Sequence, residues 1–136
     1  MTTPAVFSDA WTRAQAVADT QKLKLLDPAG QNITVPDGPY WVMETAAGLA
    51  DRAGAGEPVD LEDGTIWLHL MVPKGTGTLE ALELRKAMSV AFRQATNLPT
   101  GIIYRGHMFD PPDLSQAGNR VRFSLGIGYE YQDILT

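Results

Sequence analysis

A glycine-rich stretch in the middle of the chain is the first candidate for chemistry. Residues 74–77, Lys-Gly-Thr-Gly, follow an apolar extended segment and precede a helical pattern. Strand, glycine-rich turn and helix is the order of many phosphate-binding loops. A P-loop, however, places its Lys after the last Gly, whereas this Lys precedes the first one. A dinucleotide-binding turn needs a third Gly at the position where this chain has Glu80.

The spacing of this stretch therefore favours a conformational role over nucleotide binding. We predict a tight strand-to-helix turn in which Gly75 or Gly77 adopts positive φ, since glycine reaches that region without a steric penalty. A neighbouring hydroxyl, from Thr76 or Thr78, is expected to cap the helix that follows.

The two histidines are the next candidates, because His is the commonest general base and metal ligand. His69 lies between two leucines, which predicts a half-buried strand residue. His107 lies near Asp110 and Asp113, but two prolines interrupt the group and no H-E-x-x-H pattern exists. No serine lies in a G-x-S-x-G elbow. The sequence therefore predicts no catalytic residue, no metal site and no cofactor.

Composition narrows the class of protein. The chain has 136 residues, of which 44% are apolar and 20% charged, which predicts one globular domain over residues 1–136. No cysteine occurs, so disulfides are excluded and synthesis in the cytosol is expected. A net charge of −5 without a basic run disfavours tight nucleic-acid binding. No apolar run is long enough for a bilayer and residues 1–5 lack signal-peptide features, so we predict no membrane association.

Hydrophobic periodicity predicts two helices and a sheet. The helices extend from Pro4 to about Gln21 and from Thr78 to about Thr96. The predicted extended segments are Asn32–Val35, Tyr40–Ala46, Thr65–Val72, Ile102–Phe109 and Val121–Tyr131. This order predicts an α+β fold, an antiparallel sheet of about four to five strands with two main helices packed on one face.

A longer pattern spans nearly the whole chain. A helix with a Trp, a short ITVP piece and PYWVMETAAG precede a Gly-rich stretch, a strand ending in VPKGTGTLEALELRKAMSVAF and a closing RVRFSLGIGYEY. This order resembles the tail terminator family of long-tailed bacteriophages and of phage-derived gene transfer agents. The family pattern is Pro-x-Gly-Thr-Gly at the end of a strand, then a helix with Ala, Leu and a late Phe. The matching residues here are Pro73, Gly75, Thr76, Gly77, Ala81, Leu84 and Phe92.

The resemblance implies an α+β subunit of a homohexameric ring at the head-proximal end of the tail tube. Such a ring stops tube polymerisation and joins the tail to the head connector. The implied partners are other copies of the chain, the tail-tube protein and the head–tail connector or stopper protein. DNA would only pass through the lumen, without specific binding. The implied location is the virion, after assembly in the bacterial cytoplasm, and the family brings no catalytic or cofactor residues.

The stretch from Gly48 to Asp63 is rich in Gly, Ala and acidic residues, which predicts a long loop between two strands. It has too few large apolar residues to fold on itself, so we expect contacts with other subunits or with the tail tube to order it. The predicted interface residues are Leu49, Arg52, Glu57, Val59 and Asp60.

Two other classes of function remain open at this point. A head–tail joining protein or a tail-tube subunit would have similar length and composition. A small-molecule-binding α+β module of unrelated origin is the third class. A tube subunit would form stacked rings or open-ended tubes, whereas a terminator would stop at one ring.

Overall fold

A computed structural model describes residues 3–30, 34–53 and 59–134, with the backbone alone for residues 48–53, 59, 60, 133 and 134. Its elements are α1 (Pro4–Gln21), β1 (Leu25–Leu26), β2 (Tyr40–Ala53), β3 (Val59–Pro73), α2 (Thr78–Arg93), β4 (Ile102–Phe109), β5 (Asp113–Gln116) and β6 (Arg120–Ile134). The fold is therefore α+β, as the periodicity predicts.

The strands form one mixed sheet in the order β1-β2-β3-β6-β4, with β5 also paired to β6. A purely antiparallel sheet of four to five strands was therefore the wrong expectation. β1 runs parallel to β2, with Leu25 opposite Trp41, and the Trp41 amide donates to the Lys24 carbonyl at 2.8 Å. Thirteen residues separate the end of β1 from the start of β2, a length that suffices to connect two parallel strands. β5 lies in a proline-containing segment whose composition is typical of a loop.

The central pair of strands, β3 and β6, is antiparallel and keeps one register along its whole length. Fifteen residue pairs run from Val59 opposite Ile134 to Pro73 opposite Arg120 without a shift. Side chains alternate between the two faces of a strand, so one unshifted register aligns the same face of both strands from end to end.

One face of this pair, the core face, is buried together with residues of both helices. A single core cluster contains Ile66, Leu68, Leu70 and Val72 of β3, Phe123, Leu125, Ile127 and Tyr129 of β6, Trp41 and Met43 of β2, Val6, Ala10, Ala14 and Ala18 of α1, and Ala81, Met88 and Phe92 of α2. The predicted alternation of β3 and β6 is therefore confirmed. The other side of the sheet is called the outer face below.

Helix α1 starts where its proline predicts, and a line of small residues forms its fully buried face. Its buried residues are spaced four apart, at Val6, Ala10, Ala14 and Ala18. Phe7 and Trp11 are only half-buried and stack on each other with ring centroids 5.8 Å apart. Alanines on the central line have no bulk to hold the helix away from its neighbours, so the larger aromatic side chains lie beside the contact.

The long loop predicted from Gly48 to Asp63 is wrong for the part that the structure describes. Residues 48–53 belong to β2 and residues 59–63 to β3, and these strands pair with each other. β6 also pairs with β3 as far as Val59. Ladder hydrogen bonds from both neighbours satisfy the β3 backbone whatever its side chains are, which explains how a Gly-, Ala- and acid-rich sequence forms strand here.

We predict that Met88→Asp abolishes the folded protein. Met88 is 0% exposed in the core cluster, so an unpaired carboxylate there costs several kcal/mol. That cost is comparable with the whole stability of a small domain, about 5–15 kcal/mol. Leu82→Asp is the matched control, because Leu82 lies on the same helix but is 37% exposed. Circular dichroism melts should show a cooperative transition for Leu82→Asp and none for Met88→Asp; equal melts would contradict the core assignment.

Candidate functional site

The candidate assembly site is the part of the sheet that continues beyond Gly64, called the sheet extension below: residues 47–53 of β2, 59–64 of β3 and 129–134 of β6. In its register Leu49 lies opposite Asp63 and Arg52 lies opposite Asp60. Val59 lies opposite Ala53 on one side and Ile134 on the other.

Four of the five residues predicted as an interface therefore lie on paired strands of this extension. Arg52, Val59 and Asp60 come together at its end, with Leu49 further back along β2. Glu57 lies outside the described residues. The structure brings the four together because their strands pair with each other, whereas the sequence predicted a loop.

A buried carboxylate anchors the sheet extension to the start of α1. Glu62 is 6% exposed and accepts three hydrogen bonds. Thr3 donates its backbone amide at 3.2 Å and its hydroxyl at 2.8 Å, and the Tyr129 hydroxyl donates at 2.7 Å. A buried carboxylate is stable only when such donors replace its water. Thr3 is the N-cap residue of α1, and its hydroxyl is used for Glu62 instead of a capping bond.

A glycine makes room for this anchor. Gly64 lies opposite Tyr129, and a Cβ added at Gly64 would come within 2.6 Å of the Tyr129 ring, its hydroxyl and the Ala46 carbonyl. The tyrosine ring therefore lies across the glycine backbone, and its hydroxyl reaches Glu62. The sequence signal for this anchor is a Glu at an inward-facing position of a strand, two residues before a Gly. This signal was not recognised in the sequence.

A row of polar side chains crosses the outer face at the middle of the sheet. His69 Nδ1 lies 2.7 Å from the Ser124 hydroxyl, and His69 Nε2 lies 3.5 Å from a Glu44 carboxylate oxygen. His69 is 9% exposed and Ser124 5%. Burial lowers the pKa of His69 below its ordinary value, an effect that Arg122 reinforces and that Glu44 and Asp110 oppose.

The order acid, imidazole and hydroxyl in this row is also the order found in acyl-transfer triads. With the proton on Nε2 facing Glu44, Nδ1 accepts a hydrogen bond from the Ser124 hydroxyl, which is the arrangement that a general base needs. A nucleophile must also reach a substrate, and the Ser124 side chain lies in the interior of a strand and is buried. The row therefore serves first to pair the buried His69 and Ser124 side chains, with the more exposed Glu44 at its β2 end, and His69 has the strand position predicted for it.

The second histidine faces the core side of the sheet, not the acids near it in sequence. His107 Nδ1 lies 2.7 Å from the Ser89 hydroxyl on α2. Asp113 instead accepts bonds from its neighbour Ser115, and Arg122 approaches it at 3.3 Å. Within the described ranges, no group of three or more acidic and histidine side chains is arranged to hold a metal ion.

The glycine-rich turn has the geometry that its spacing predicts. Gly75 and Gly77 have φ of 101° and 97°, which confirms the predicted positive φ. The predicted threonine cap is wrong, because the N-cap residue of α2 is Gly77 and no side chain caps the helix. The Thr76 amide donates to the Pro73 carbonyl at 3.2 Å, closing the turn through the backbone.

An apolar groove of about 500 Å³ lies beside this turn. It is lined by Val72, Pro73, Lys74, Gly75, Gly77, Thr78, Pro112, Leu114, Val121 and Phe123. Leu114 at its rim is 65% exposed, and nearby in sequence Leu79 of α2 is 72% exposed. Lys74 supplies the charge in the lining, and Glu80 lies in the first turn of α2.

The chain shares its fold with a solved structure but matches no family model or curated protein. No protein-family model matches the chain, and no curated protein matches it. One solved structure with 17% sequence identity superposes with a TM-score of 0.69, over 100% of this chain and 99% of the other. Its name states no function, and at this identity the likeness shows a shared fold alone. No helix in the described part of the chain is long and apolar enough to cross a membrane.

We predict that Glu62→Gln lowers the free energy of unfolding by about 1–3 kcal/mol, because the new amide group would face donors and leave buried groups unpaired. Glu83→Gln, on an exposed face of α2, is the matched control and should change stability by no more than about 0.5 kcal/mol. Urea unfolding measures both. Combining Glu62→Gln with Tyr129→Phe should cost less than the two single changes added together. Strict additivity would show that the two side chains do not share one network.

We also predict that His69 makes the folded state lose stability as pH falls below about 6.5. The folded state lowers the pKa of His69 through burial, so the unfolded chain binds the proton first and is favoured as acid is added. His69→Gln should flatten the fall of unfolding free energy between about pH 7 and pH 5. Burial and Arg93 also lower the pKa of His107, so His107→Gln should remove a separate part of the loss of stability at low pH. An unchanged slope in His69→Gln would contradict this assignment.

Proposed function

We propose that this protein is a tail terminator, which forms a homohexameric ring at the head-proximal end of a phage or gene-transfer-agent tail tube. The ring stops tube polymerisation and provides the face to which the head connector binds. The partners in this proposal are other copies of the chain, the tail-tube protein and the connector. DNA crosses the lumen without a specific site, and the protein works in the virion without catalysis or a cofactor.

The sheet extension is the observation that carries the proposal. Its β2 and β3 strands have 14 and 15 residues, and the buried Glu62 connects it to Thr3 and Tyr129. An anchored extension can present the same surface in every subunit, which a ring needs for six identical contacts. We assign Leu49, Arg52, Glu57, Val59 and Asp60 to contacts with a neighbouring subunit or with the tube.

The turn that contains the family-like Pro-x-Gly-Thr-Gly motif agrees with a structural role. Both glycines use φ values that other residues reach only with strain, so the motif has a conformational reason to exist. We further infer that α1 and α2 pack on one face of the sheet, as the family has them, because their buried residues share one cluster with Ile66 and Leu68.

Charge also suits a conduit for DNA. Six copies of a chain with net charge −5 would sum to −30. A negative lumen repels phosphates and lets DNA pass without sticking to the wall. A head–tail joining protein or a tube subunit is the alternative, and stacked rings or open-ended tubes of this chain alone would favour the tube subunit.

Electron microscopy of the purified chain, alone and mixed with its tail-tube protein, tests the proposal. We expect single six-fold rings alone and tubes closed at one end in the mixture. Five-fold or twelve-fold rings would contradict the stoichiometry, and a monomer at micromolar concentration that also leaves tubes uncapped would contradict the function.

A shortened variant tests the sheet extension itself. Ala50 lies opposite Glu62, so replacing residues 51–61 by a two-residue Asn-Gly turn joins a directly opposed pair of strand residues, as such turns do. We expect this variant to melt cooperatively but to fail in ring formation or tube capping. Normal rings and normally capped tubes from the shortened chain would show that the removed residues are idle.

A further inference from the structure

The longest free strand edges within the described residues belong to β2 and β4. β1 pairs with β2 only at Trp41 and Val42, so nothing in this part of the chain pairs with that edge of β2 from Met43 to Ala53. At the other end of the sheet, β4 pairs with β6 alone. An unpaired edge presents a row of backbone donors and acceptors, which is a template for another strand.

The β2 edge has one feature that usually protects an edge, a bulge between Ala47 and Leu49, but the segment before it, from Met43 to Ala47, is regular. Its sequence from Met43 to Ala53, METAAGLADRA, contains neither Lys nor Pro and has small residues at most central positions. β4 likewise has a bulge between Tyr104 and His107, and the three residues from Ile102 to Tyr104 before it form a regular segment. The two edges therefore offer short complementary lengths of strand.

We infer that, in the proposed ring, β2 of one copy pairs with β4 of the next copy. The direction follows from the fold, because β2 and β4 are separated by three antiparallel pairings, β2–β3, β3–β6 and β6–β4. β2 and β4 thus run in opposite directions within a subunit. If the next copy is placed by a rotation about an axis parallel to the strands, its strands keep their directions. β4 of that copy then runs antiparallel to β2 of the first copy.

The register of this junction follows from charge and from the ends of the free segments. Glu44 and Arg105 both project from the outer face and are 55% and 57% exposed, so placing Glu44 opposite Arg105 of the next copy pairs opposite charges. The same register places Ala46 opposite Ile103 of the next copy, an exposed small side chain against an apolar one that is 44% exposed. Arg105 already lies 2.6 Å from Glu130, and its exposed guanidinium has donors left for a second carboxylate.

Neighbouring structure limits the regular part of each free segment. Toward the start of β2, β1 blocks the edge at Val42. Toward the start of β4, Gly101 has φ of 91° and turns the chain away. At the other ends lie the bulges, after Ala47 in β2 and after Tyr104 in β4, so the regular segments are Met43–Ala47 of one copy and Ile102–Tyr104 of the next. The proposed register places all three regular β4 residues opposite Thr45 to Ala47. This junction is heterologous, so each copy uses two different edges, as a closed ring requires.

The chain contains no cysteine, so engineered disulfides can test the junction on the full-length protein. Ala46→Cys with Ile103→Cys places two thiols on directly opposed residues, within the Cα separation that a disulfide needs. We expect oxidation of this double variant to give a ladder up to a hexamer on a non-reducing gel. Each single variant should stay monomeric on the gel, and co-expression of the two single variants should give a dimer and nothing larger.

The matched control moves one thiol to the opposite face. Ala47 is one residue further along β2, where its side chain projects from the core face, so Ala47→Cys with Ile103→Cys should give no ladder. Since this inference rests on the proposed ring, light scattering of the reduced proteins is measured beside the gels. Hexamers in solution without a ladder from the first double variant would overturn the edge-to-edge junction and leave the ring standing.

Other results would overturn the inference in different ways. A dimer from Ala46→Cys alone would show that two β2 edges meet each other. A ladder from the Ala47 control as strong as that from the Ala46 variant would show that the register is wrong. Monomers in solution without cross-links would overturn both the junction and the ring.

Discussion

The unshifted pairing of β3 with β6 is the constraint on which the rest of the structure depends. Fifteen consecutive residue pairs fix which side chains share a face. On the core face this register aligns Leu68 with Leu125, and on the outer face it places His69 opposite Ser124. It also sets Gly64 opposite Tyr129, which brings the tyrosine hydroxyl to Glu62. A slip of one residue would exchange the faces and break all of these contacts together.

The parts of the fold that local patterns determine could be predicted from the sequence. The alternation of β6 from Val121 to Tyr131 and the helical spacing in α2 each bury a continuous apolar surface, so periodicity finds them. Both glycines of the strand-to-helix turn were predictable for a similar local reason. Apolar spacing does not find Arg85 of α2, which is 9% exposed and donates to the Asp110 and Ser124 carbonyls.

The parts that distant partners determine could not be predicted in this way. Residues 59–63 form strand because both β2 and β6 pair with them, and residues 48–53 because they pair with β3, although Gly, Ala and acidic residues have low strand propensity. Glu62 is buried because Thr3 and Tyr129 are near it in space. The sequence analysis therefore predicted the wrong conformation for residues 48–53 and 59–63, and the Glu62 anchor could not be predicted from it.

The position of β6 has a consequence for the order of events during synthesis. β6 is the last strand in chain order, yet it lies between β3 and β4 in the sheet. Both neighbours must leave the ribosome before the strand that joins them exists, and pairings this distant in sequence close slowly. β4 has its sheet partner only once β6 arrives, and a nascent chain without β6 exposes the β3 edge that β6 covers in the finished fold. The proposed junction uses β4 in the place that β6 gives it, so ring assembly must wait until synthesis has passed β6.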